Sequence, residues 1–163
     1  MSVNEILEKL FNSFQVYYNV RQEGVDPPFV AEAQFHTHDE QFFLVKSAVL
    51  SEAESQEYVY FAVEKTLDLD KLLYLDQEAW QRGISNVKPH VSHRNTDVAL
   101  IILADQITKE AFARIPKLRH YQSYHFGFQG WSNYRLAVIE LSSGRAAYNR
   151  LGKSFKKLVS NIF

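Results

Sequence analysis

The chain has 163 residues, 46% of them apolar and 23% charged, which suits one folded domain with a sizeable core and excludes a disordered or fibrous chain. It contains no cysteine, which excludes disulfides, thiolate metal sites and a cysteine nucleophile and suits a reducing, cytoplasmic compartment. No apolar run approaches the ~20 residues of a membrane span, so no membrane partner is expected, and the acidic, amphipathic start is unlike a signal peptide.

The net charge of −1 conceals an asymmetry. Residues 1–116 hold 18 acids against 10 Lys/Arg, a sum of −8; residues 117–163 hold 8 Lys/Arg against the single acid Glu140, a sum of +7. Two readings are open: a basic third that binds a polyanion, or two halves that neutralise each other in the fold.

Ser2-Val3-Asn4-Glu5 is a capping box. Val3, Ile6, Leu7, Leu10, Phe11, Phe14 and Tyr17 or Tyr18 follow at helical steps, predicting an amphipathic helix of about five turns stopped by Gly24 and Pro27-Pro28. Phe29–His36, Gln41–Leu50 and Tyr58–Lys65 read as three strands separated by short polar turns, hence an antiparallel meander. Asp68 is placed to cap a helix running to Arg82, with Leu69, Leu72, Leu73, Asp76 and Trp80 on one stripe and Gly83 ending it. Asn86–Thr96 reads as a polar loop.

Asp97–Asp105 frames six consecutive apolar residues with acids. So short a run, with paired isoleucines, predicts a strand buried on both faces and therefore the centre of the sheet. Thr108 then caps a short helix limited by Pro116. Arg119–Gln129 and Tyr134–Leu141 read as strands about a turn at Gly130–Asn133. Ser142-Ser143-Gly144 is a hairpin turn before a short returning strand over Arg145–Asn149, and Leu151–Phe163 is an amphipathic helix. The expected fold is a single α+β domain over residues 1–163, with a mixed, mainly antiparallel sheet covered by helices, in the order α-β-β-β-α-β-α-β-β-(β)-α.

Glu57-Tyr58-Val59-Tyr60-Phe61 and Gly130-Trp131-Ser132-Asn133-Tyr134-Arg135-Leu136-Ala137-Val138 resemble a family of small uncharacterised bacterial proteins over most of the chain. That resemblance implies no activity. The element order of residues 1–105 is similar to the core of PD-(D/E)xK nucleases, which implies a Mg²⁺ or Mn²⁺ site built from Asp39, Glu40 and Glu64, with Glu32 as a further acid. The acid-x-Lys triplet of those enzymes is absent. Glu64 and Lys65 are adjacent, and strand neighbours project to opposite faces.

Two further patterns carry chemistry. His36-Thr37-His38, on a continuing strand, puts two imidazoles on one face about 7 Å apart at their Cα atoms; Asp39, Glu40 or His90 and His93 would complete a metal set, against the alternative of a solvated polar turn. Tyr124–Trp131 resembles in part the aromatic motif of RNA-recognition domains. Phe126 and Phe128, as alternate strand residues, are expected to pack in the core instead, which leaves a stacking platform beside Arg119, Arg135 and the C-terminal lysines as the other option.

The leading functional reading is a non-enzymatic cytoplasmic binding domain that engages a protein or polyanion through Arg119, Arg135, Lys153, Lys156 and Lys157. The alternative is a metal-dependent nuclease or phosphodiesterase using Asp39, Glu40 and Glu64.

Overall fold

The computed structural model describes residues 1–36, 54–89 and 93–163. The strand read over Gln41–Leu50, and His38, Asp39, Glu40 and His90, lie outside them. Helix α1 (Val3–Gln15) carries the expected capping box: Glu5 N–H donates to Ser2 Oγ, and Ser2 N–H to the Glu5 carboxylate. It ends earlier than its periodicity predicts. Tyr17 and Tyr18 N–H groups both turn back onto the Phe14 carbonyl, and the chain leaves as strand β1 (Asn19–Arg21), which the sequence reading missed.

The sheet continues with β2 (Ala31–His36) and β3 (Glu54–Leu67). Helix α2 (Leu69–Ser85) and strand β4 (His93–Ile107) follow, then helix α3 (Lys109–Arg114). Next come β5 (Tyr121–Ser123), β6 (Trp131–Glu140) and β7 (Ala146–Tyr148), and helix α4 (Lys156–Ile162) closes the chain. The strands lie in the order β1-β2-β3-β4-β6-β5, with β7 also on β6. Among the described residues four pairings are antiparallel and two, β3 with β4 and β4 with β6, are parallel. The fold is therefore α+β with a mixed, mostly antiparallel sheet. An antiparallel meander does open the sheet, but its described strands are β1, β2 and β3: β2 pairs directly with β3, where the expected meander set Gln41–Leu50 between Phe29–His36 and Tyr58–Lys65.

Strand β4 is the centre, as its composition demands. Val98, Leu100, Ile102 and Ala104 pack on one face with Leu72, Leu75 and Trp80 of α2. Ala99, Ile101 and Leu103 pack on the other, against Leu10, Phe11 and Phe14 of α1 and Phe155. Each such buried Leu, Ile or Phe contributes about 1.5–3 kcal/mol. The predicted stop at Gly83 is overturned. Asp68 caps α2 at the Lys71 N–H, but the helix passes through Gly83 to Ser85. That glycine is a close approach, not a terminator: a Cβ there would stand 2.4 Å from Val98 Cγ2. The predicted C-terminal helix begins as a 3-10 turn over Leu151–Phe155. No helix among the described residues is long and apolar enough to cross a membrane.

A cavity at the break between two edge strands

Strands β5 and β7 share one edge of β6, end to end. The first pairs with Trp131–Asn133 and the second with Ala137–Ile139. Between them the ladder is completed by a side chain. Asn149, buried, donates from Nδ2 to the carbonyls of Leu118 (3.0 Å) and Tyr134 (3.1 Å), while its Oδ1 accepts from Leu136 N–H (2.9 Å) and Gly152 N–H (2.8 Å). A carboxamide has two donors and two main acceptor directions, and here all are used. The same hydrogen bonds fix the residues that follow Leu118 and Asn149, namely Arg119 and Arg150.

Those two arginines rim a cavity of about 270 Å³, with His120, Tyr121, Tyr134 and Leu151 among its walls. His120 Nε2 lies 2.7 Å from Asp76 Oδ2. The imidazole stacks on Trp80 (centroids 5.1 Å apart, 13° between planes) and meets the Tyr134 ring edge-on at 4.8 Å. Held on three sides, it has one orientation. Asp76 Oδ1 and Tyr134 Oη are both buried. Burial first, and then the Asp76 charge, hold the Tyr134 phenol well above its ordinary value, so it stays a neutral donor. The phenol is also drawn towards the Asp76 carboxylate by hydrogen bonding, so these two buried groups answer each other. The arrangement thus offers two cations at the rim over a wall built by His120, Tyr121 and Tyr134.

The sequence reading missed His120 and the role of Asp76. The signal was present: an acid on an otherwise apolar helical stripe must find a partner when buried. Arg119 is where the basic third was expected to act. Arg135 is not with it. It points to the other face of the sheet, ion-paired with Glu57 and 3.6 Å from Asp97, and lies over the Phe155 ring. Burial pushes the Glu57 carboxyl up against the attraction of Arg135. Arg145 is taken by Glu140. Lys117, Arg119, Arg150, Lys153, Lys156 and Lys157 make no ion pair with any described residue. Among the described residues the halves therefore pair only in part.

Of the acids of the nuclease reading, Asp39 and Glu40 lie outside the described residues, and Glu64 and Glu32 each have a basic partner. Glu64 pairs with Lys71 at 3.0 Å and Glu32 with Arg21. Among the described residues no group of three His, Asp or Glu side chains could hold a metal ion. His36 closes β2 opposite Gln56, and His93 opens β4 opposite Glu54.

The expectation for the aromatic segment is overturned. Arg119–Gln129 is not one strand. After β5 the backbone enters the left-handed region at His125 (φ 48°), Phe126 (φ 55°) and Gly127 (φ 90°) and turns back, with Gly127 N–H donating to the Tyr124 carbonyl. Phe126 and Phe128 thus leave the alternation that would have buried them. They are 100% and 84% exposed.

A family described as a domain of unknown function (DUF8052) matches residues 2–161, and the chain belongs to that family. No curated protein and no solved structure matches the chain. The family description assigns no activity.

Proposed function

We propose that this domain is a cytoplasmic, non-enzymatic binding module that takes an anionic group of its ligand in the cavity between Arg119 and Arg150. The observation that carries the reading is the convergence of two arginines, neither ion-paired with any described residue, on a cavity whose wall holds His120 against Asp76. Arginine presents a planar fork of donors suited to phosphate or carboxylate oxygens. His120 and Tyr134 wall the cavity below the rim, held in place by Asp76 and Trp80. Lys117, two residues before Arg119, extends the positive field that would steer an anion inward. The absence of cysteine suits a reducing compartment.

Calorimetric titration with inorganic pyrophosphate tests the reading. Saturable, salt-sensitive binding is expected, weakened about tenfold or more by Arg119→Ala together with Arg150→Ala. Heat that does not saturate, or binding indifferent to both arginines, would reject it.

A further inference from the structure

Resting on that reading, we infer that the ligand is single-stranded nucleic acid, with a phosphate in the arginine cavity and bases stacked along the hairpin formed by β5 and β6. The hairpin leaves the cavity at Tyr121, which is one of its walls. Beyond the cavity it carries four aromatic side chains in solvent: Tyr121 at 65%, Phe126 at 100%, Phe128 at 84% and Trp131 at 36% exposure. Tyr121 faces Asn133 across the ladder and Ser123 faces Trp131, so Tyr121 and Trp131 are diagonal neighbours on one face of the ribbon, within reach of each other's rings. From Tyr121 to Ser123 the strand rises about 3.3 Å per residue, so rings and cavity lie within the span of a few nucleotides, inside the ~4–16-nucleotide footprints of single-strand binders.

Fold stability does not explain these rings. A fully exposed phenylalanine buries no apolar surface, and Phe126 sits at a left-handed φ that non-glycine residues adopt at a cost. Such a position is understandable where the ring is used by a partner. Charge selects the partner. Residues 117–139 contain no acid, and of their cations Lys117 and Arg119 are ion-paired with no described residue while Glu57 takes Arg135, so a polyanion running from cavity to tip meets no repulsion from this segment. Polar groups then favour nucleic acid over a lipid surface. Gln122, Ser123 and His125 lie among the rings, where hydrocarbon would leave them unsatisfied and base edges would not. Stacking is sequence-tolerant, because every base has a π-face.

The test is fluorescence anisotropy with a labelled oligothymidylate of about twenty nucleotides, longer than any such footprint, using wild type, the Phe126→Ala/Phe128→Ala double variant and the Arg119→Ala/Arg150→Ala double variant. Circular dichroism should show both variants folded, since the four side chains are exposed. The strand should bind in a salt-dependent way, and each double variant should weaken it about tenfold or more. Only the arginine variant should lose pyrophosphate. Three results would overturn the inference while leaving the anion site standing: pyrophosphate bound but no oligonucleotide, strand binding indifferent to the two phenylalanines, or a duplex bound as tightly as the strand. Phosphatidylserine vesicles captured through the phenylalanines, with no strand bound, would overturn it in favour of a membrane surface. Loss of pyrophosphate binding altogether, with the strand still held in the arginine variant, would overturn the cavity reading and the strand path with it.

Discussion

Leu136 N–H donates to Asn149 Oδ1 across 2.9 Å, and this side chain stands where a strand's backbone would otherwise complete the edge of β6. The site exists because the edge is interrupted there. Asn149→Ala leaves two carbonyls and two N–H groups without this partner inside a buried junction. Unsatisfied buried groups cost about 1–3 kcal/mol each, partly relieved by water. We expect a loss of about 2–4 kcal/mol in urea unfolding, with pyrophosphate affinity falling as Arg119 and Arg150 lose their common anchor. Asn149→Asp should do no better, since a carboxylate cannot donate to the Leu118 and Tyr134 carbonyls. A loss below about 1 kcal/mol would mean that the carboxamide is not what holds the junction.

Gly152 is required for a reason of space. A Cβ at that position would stand 2.0 Å from the Leu136 carbonyl oxygen and 2.7 Å from Asn149 Oδ1. Backbone cannot yield as a side chain tip can. Gly152→Ala should therefore destabilise by about 1–3 kcal/mol or more, against the general tendency of Gly→Ala changes to favour folding. Thermal unfolding measures the sign directly; an unchanged or raised Tm would refute the steric account.

Glu140 supplies an acid-labile part of the stability. Hydrogen bonds from Arg145, then Ser143, and the Ile107 N–H hold its carboxyl down to about 2. A carboxyl depressed in the fold contributes stability that is fully present above its unfolded value, near 4.5, and is lost as pH falls towards the folded value. Glu140→Gln should thus be less stable than wild type at pH 7 by about 1–2 kcal/mol, allowing for solvent screening of the half-exposed Arg145. The gap should close as pH drops from about 5 towards 2. Unfolding curves for both proteins across that range decide it; a gap that stays constant with pH would show that the carboxylate charge is not the source.

What the sequence made legible follows from local physics. The six-residue apolar run predicted a strand covered on both faces, and Ser2, Asp68 and Thr108 predicted helix starts that the N–H groups of Glu5, Lys71 and Ala111 confirm. What it concealed is non-local. Nothing near Asn149 in the chain says that it will meet Leu118 and Tyr134, and nothing near His120 points to Asp76, 44 residues away. The aromatic hairpin misled by its alternation. Phe126 and Phe128 are spaced as strand neighbours, but the chain turns at His125, Phe126 and Gly127, all at positive φ. The expected turn lies at Gly130–Asn133; placing one at Gly127 as well would have moved both rings out of the core. Arg135 and Arg119 look equivalent in the sequence, yet adjacent strand positions face opposite ways. Tyr134 therefore lines the cavity while Arg135 lies behind the sheet.

That separation gives the sharpest contrast between two arginines of the basic third. Arg119 is exposed and ion-paired with no described residue, so Arg119→Ala should shift stability by no more than about 0.5 kcal/mol while weakening pyrophosphate binding. Arg135 neutralises Glu57, which is buried and already raised by that burial. Arg135→Ala leaves this carboxylate, and Asp97 beside it, without their cation, and should cost about 3 kcal/mol at pH 7 with the anion site intact. The pH dependence has the opposite sign to that of Glu140. A carboxyl whose folded value lies above its unfolded one destabilises the fold when ionised, and the penalty fades as pH falls through the folded value. Without Arg135 that value moves further up, so the deficit of the variant should shrink on acidification. Denaturation and titration on the two variants side by side read both halves of the contrast. Binding lost in Arg135→Ala at unchanged stability would place the working cations on the other face of the sheet.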